Sequence, residues 1–135
     1  MRAHIKQAAP AVLAYGLPAG SPQGDAVRRA MAGCGLQVRQ VEPWQADCLV
    51  GDLADGRAAA QPGPGPVPEA PAARAVLFSA LGERQLAEAL AALRAAGSPA
   101  ELKAVVTPTS RTWTLRALLA ELRQEHALMH GGEKV

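Results

Sequence analysis

"RAVLFSALGERQLAEALAALRAAGSPAELKAVVTP", Arg74 to Pro108, is the stretch whose reading decides the fold. "RAVLFSAL", Arg74 to Leu81, is a short apolar run of strand length. "ERQLAEALAALRAAG" then carries Leu86, Leu90 and Leu93 on one helical stripe, with Gly97 as its stop. "LKAVVTP" returns to strand character, so the stretch reads as a β-α-β unit.

Upstream the same order recurs. "AVLAYGL", Ala11 to Leu17, is a buried-type strand ended by Pro18 and Gly20. Asp25 opens a helical stretch with Val27, Ala30, Met31 and Cys34 on one face, stopped by Gly33 and Gly35. "LQVRQV", Leu36 to Val41, is the next strand, with Arg39 and Gln40 marking partial exposure. Downstream, Trp113 to Met129 reads as the last helix, with Leu115, Leu118, Leu119, Leu122 and Met129 sharing a face.

Between the halves, Glu42 to Gly56 gives mixed signals, with "CLVGDLADG" suiting a short helical turn or a minor strand. Arg57 to Ala73 holds five of the eleven prolines and supports neither a ladder nor a continuous helix. It reads as a flexible Pro/Gly-rich insertion at about 57–73 within one domain spanning 1–135. The expected class is α/β: a small four-stranded sheet from two β-α-β units plus a C-terminal helix. The strands run parallel in a Rossmann-like sheet or, alternatively, interleave in a ferredoxin-like one.

Composition narrows the function. The 14 basic and 12 acidic residues are scattered and leave no basic stripe, which argues against nucleic acid as a partner. No apolar run approaches the roughly 20 residues of a membrane-spanning helix, and the opening "MRAHIKQAAPAVLAYG" does not read as a secretory signal. A cytoplasmic protein is the expectation. Cys34 and Cys48 form neither a CxxC pair nor half of a zinc site and read as small apolar residues.

Ligands of open α/β sheets gather at the carboxyl ends of strands. Gly16, Gly20 and Gly24 match neither GxGxxG nor GxxxxGK[ST], so the first turn has little support as a nucleotide site. The turn Thr107 to Thr112 is richer. Thr107, Thr109, Ser110 and Thr112 offer hydroxyls, Arg111 a planar cation, and the following helix its free N–H groups. Those groups suit a small anion, yet a helix start uses the same hydroxyls as caps. Trp113 falls off the leucine stripe and is a candidate lid over the turn, anchor for the linker, or partner contact. His126 falls on the leucine face and reads as a packed residue, while Glu121 and Glu125 read as a solvated face. His4 and His130 lie toward the two ends. No metal set, cofactor motif or catalytic triad can be assembled, and the residues propose no enzyme.

Lys103, Ala104, Thr107, Pro108, Thr109, Ser110, Trp113, Leu118, Glu121, Leu122 and Glu125, in "KAVVTPTSRTWTLRALLAELRQEH", resemble the signature of an uncharacterised bacterial family, domain of unknown function 3783. The resemblance is specific over Leu102 to His126 and looser over Ala11 to Val41 and Arg74 to Ala96. It implies a small cytoplasmic bacterial α/β protein of no known activity, with emphasis on the Thr-Pro-Thr turn and the tryptophan. The expected function is a non-enzymatic binding or protein-interaction module. Thr107, Thr109 and Ser110 would be hydrogen-bonders, Arg111 a charge partner, Trp113 a stacking wall and Lys103 an outer charge. A small-anion protein or enzyme with its site at the start of the last helix is the alternative, and a homodimer through that helix a third.

Overall fold

The computed structural model describes residues 9–59 and 61–133. Its elements are β1 (Ala11–Tyr15), α1 (Pro22–Gly33), β2 (Val38–Val41), a 3-10 turn (Pro43–Asp47) and α2 (Val50–Ala54). Then come β3 (Ala75–Ser79), α3 (Glu83–Ala95), β4 (Leu102–Val105), a second 3-10 turn (Ser110–Thr112) and α4 (Leu115–Glu133). The fold is α/β, with one open four-stranded sheet in the order β2-β1-β3-β4. His4 lies outside the described residues.

Each β-α-β unit makes a parallel pair, β1 with β2 and β3 with β4, as its sequence pattern requires. The two pairs meet antiparallel, with Leu13 opposite Leu77 at the centre of the β1–β3 ladder. The sheet is therefore mixed, where the sequence left a choice between parallel throughout and interleaved. The reason lies in the connection. Tyr15 Oη donates to the Pro71 carbonyl at 2.8 Å, so the incoming chain is held beside the end of β1 and must enter β3 in the opposite direction. Gly16 has φ +73°, and a Cβ there would sit 1.9 Å from the Ala73 carbonyl oxygen. Only glycine allows the two segments to come that close. The Pro/Gly-rich stretch is thus fastened at its ends: Gln45 Nε2 donates to Ala59 O, Arg116 to Glu69 O and Arg123 to Ala72 O. Residues 61–69 between them are exposed.

β1 and β3 are buried throughout, being central strands covered on both faces. Val12, Ala14, Val76 and Phe78 pack under α1 and α3 with Val27, Met31, Ala89 and Leu93. Leu13, Tyr15, Ala75 and Leu77 pack on the other face under Val50, Leu53, Leu115, Leu118 and Leu119. Cys34 and Cys48 border these two different clusters, on opposite sides of the sheet, and both are half-buried thiols.

The mixed segment Glu42 to Gly56 resolves into the first 3-10 turn, an extended Leu49 and the one-turn α2. It is the counterpart of the segment after β4. "VEPWQADCLV" (41–50) and "VTPTSRTWTL" (106–115) share Val and Pro, and their backbone bonding repeats 65 residues apart. Cys48 N donates to Gln45 O, as Trp113 N does to Ser110 O; Leu53 N donates to Leu49 O, as Leu118 N does to Thr114 O. Where the two segments cross, Leu49 faces Thr114 in an isolated antiparallel bridge. Val50 N donates to Trp113 O at 2.9 Å and Leu115 N to Cys48 O at 3.0 Å. The helix ends repeat as well: Gly35 (φ +75°) and Gly97 (φ +89°) follow α1 and α3, with Leu36 N and Ser98 N returning to the Met31 and Leu93 carbonyls.

Candidate functional site

The Thr107–Thr112 turn closes on itself. Thr107 N donates to Ser110 Oγ at 2.9 Å and Ser110 N to Thr107 Oγ1 at 3.0 Å, a reciprocal cap that satisfies both donors. Ser110 is buried. In the first unit Glu42 N donates to Gln45 Oε1 at 2.9 Å, the same bond made with a longer side chain. Thr112 Oγ1 donates to the Thr109 carbonyl at 2.8 Å, and Ala117 N donates to Thr114 Oγ1 at the start of α4. Thr109 and Thr112 themselves face solvent.

Arg111 leans over Gly51, whose absent side chain leaves the room: a Cβ there would lie 3.1–3.2 Å from Arg111 atoms. Its guanidinium grips Asp55 with two bonds of 3.2 and 2.5 Å. That bond, with the nearby Arg57 and Arg39, holds the Asp55 carboxyl below its ordinary range. Arg39 donates to the Leu53 and Ala54 carbonyls at the end of α2. Arg116 pairs with Asp47 at 2.8 and 3.2 Å, likewise lowering the Asp47 pKa. Burial, then the charges of Asp52 and Asp47, push the Cys48 thiol up, so it stays protonated and is a poor nucleophile at neutral pH.

Trp113 is not part of the last helix, which begins at Leu115. It stands in extended backbone (φ −92°, ψ 153°), half-buried against the cluster on that face of the sheet. Helical angles counted from it therefore do not apply, and its carbonyl is bound by Val50 N. Lys103 lies apart from the turn on the exposed outer strand, at a shallow groove of about 140 Å³ with Leu122, Glu125, His126 and Met129. Met129 is 69% exposed, on the wall of this open groove rather than in the leucine core. His126 is half-exposed rather than packed in the core.

The structure thus brings Thr107, Thr109, Ser110, Arg111 and Trp113 into one turn and leaves Lys103 on the strand leading to it. Asp47 and Asp55 complete the cluster. Nothing in their spacing relates them to Arg111 and Arg116; only the 65-residue repeat points to the first unit as the neighbour. A second concavity, about 520 Å³, opens at the starts of β1 and β2 between Pro10, Gln37, Val38, Arg39 and Gln85. Among the described residues its lining carries no acid, cysteine or histidine. Among the described residues no group of three or more His, Cys, Asp or Glu side chains could hold a metal ion, and no helix is long and apolar enough to cross a membrane.

Residues 74–129 match the family model described as a domain of unknown function, DUF3783. The second unit is the part that resembles DUF3783. The DUF3783 match runs from the residue before β3 into α4 and does not extend to the first unit, whose elements repeat its order. No curated protein and no solved structure matches the chain.

Proposed function

We propose that the chain is a non-enzymatic protein-interaction module of the cytoplasm, whose partner surface is the outer edge of β4 and the exposed rim of the turn after it. The carrying observation is that β4 is an edge strand, with no strand on its outer side among the described residues, and Val105, at its end, is 49% exposed. An extended segment pairing there would run from Lys103 to the hydroxyls of Thr109 and Thr112, in the manner of strand addition. Trp113 braces the turn from inside, and Arg111 reaches the rim already held by Asp55. Two thiols on opposite faces of the sheet suit a reducing compartment.

The small-anion reading has less to support it. The turn's hydroxyls cap its own backbone and Arg111 carries its own carboxylate, so an anion would have to displace both. A homodimer through the β4 edge is a special case of the proposed surface, and light scattering at high concentration reports it.

The test is photo-crosslinking from Val105 in the intact protein within extract of its own cells, with the exposed linker residue Val67 as control. Adducts at Val105 that are absent at Val67, and lost with Lys103→Glu at unchanged Tm, are expected. The same adducts at both positions would remove the reading. Trp113→Ala is a poor probe, because its half-buried ring supports the core.

A further inference from the structure

We infer that the chain is a covalently joined pair of structurally equivalent units, and that the inner surface of its DUF3783-like unit is a docking surface for a second β-α-β unit bearing acidic residues, supplied here by residues 11–55. Element order, the strand pairing centred on Leu13 and Leu77, the crossing at Leu49 and Thr114, and the hydrogen bonds repeated 65 residues apart all accord with a twofold relation between units. The exchanged bonds Val50 N to Trp113 O and Leu115 N to Cys48 O are what a twofold interface makes when residue i meets j and j meets i.

The charges break this symmetry in one direction. Arg111 and Arg116 of the second unit meet Asp55 and Asp47 of the first. At the same 65-residue spacing, the second unit has Ala120 where the first has Asp55, Thr112 where it has Asp47, and Arg116 where it has Gly51. Pairing of two second units would therefore set Arg111 against Arg116 of the other copy and leave both arginines without an acid. The surface selects an acid-bearing unit with a small residue under Arg111 and disfavours its own copy.

Cutting the full chain at a protease site inserted between Pro64 and Gly65, in the exposed part of the linker, tests this. The cut protein should remain a 1:1 particle of the uncut mass, with a Tm that falls on dilution while that of the uncut chain does not. Asp47→Lys with Asp55→Lys should raise the Kd of the cut pieces on the order of tenfold, and Asp52→Lys, whose acid pairs with the nearby Arg57 rather than across the junction, should raise it less. Separation or unfolding of the pieces at micromolar concentration overturns the docking surface. A C-terminal piece that, refolded alone, forms a homodimer as tight as the 1:1 particle overturns the selectivity.

Discussion

The two halves of this molecule perform the same folding task with different residues. After β2 the chain makes a 3-10 turn and a single helical turn, Val50–Ala54, whose carbonyl end is closed by Arg39 from the neighbouring strand. After β4 it makes a 3-10 turn and then nineteen residues of helix, because "LRALLAELRQEHALMH" keeps its apolar period where the first unit meets Gly56 and then prolines. Yet both pack the same inner row, Val50 and Leu53 in one and Leu115 and Leu118 in the other. The interior demands that row; the outer length is left to local sequence.

The comparison breaks most visibly at its centre. Leu13→Ala and Leu77→Ala remove equivalent buried side chains and should each cost about 2–5 kcal/mol in denaturant unfolding. Losses differing by more than about 2 kcal/mol would show that the halves do not share the core equally. The residue after each inner strand comes next. Gly16→Ala should cost about 3 kcal/mol, since its new Cβ meets the Ala73 carbonyl in left-handed backbone. Ala80, at the matching place with φ +62°, already bears that strain. Ala80→Gly should change stability little or raise it by up to about 1 kcal/mol, and a loss of that size would mean the strain is compensated locally.

The caps are smaller still. Ser110→Ala should cost about 1 kcal/mol by removing the buried hydroxyl that accepts from Thr107 N, and Gln45→Ala should cost less, since water can take the place of the half-exposed Gln45 amide more readily. A larger loss at Gln45 would reverse the ranking of the two turns. The smallest effect is electrostatic. Asp47 and Asp55 have pKa values lowered by their arginines, so their stabilisation is complete above the unfolded carboxylate value of about 4. It is lost as pH falls from there through the folded values. Asp47→Asn with Asp55→Asn should flatten the acid limb of Tm against pH and leave the slope between pH 6 and 8 unchanged. A change in that neutral slope instead would assign the dependence to other groups.

The two β-α-β units are legible in the sequence because their signals are local. Leu86, Leu90 and Leu93 mark one helix, Val27 and Met31 the other, and Gly97 and Gly35 their ends. The turn at Thr107 is legible as a place rich in polar groups, since capping and ligand binding draw on the same residue types. Which groups remain available there is not, because that depends on Asp55, fifty-six residues away in the chain. Trp113 reads as helical in the sequence because a 3-10 turn and an extended residue interrupt the periodicity for too short a span to disturb it.

By itself the sequence determined the α/β class, the two repeating units, the C-terminal helix and the position of the polar turn, all consequences of hydrophobic period and of glycine and proline punctuation within a few residues. Only the tertiary structure decided that the units join antiparallel, that Glu42 to Ala54 is the counterpart of the segment after β4, and that two arginines of one unit meet two acids of the other. Strand direction and ion pairing across a junction depend on where the chain returns in space, which here is set by contacts such as Gly16 with Ala73 and Tyr15 with Pro71.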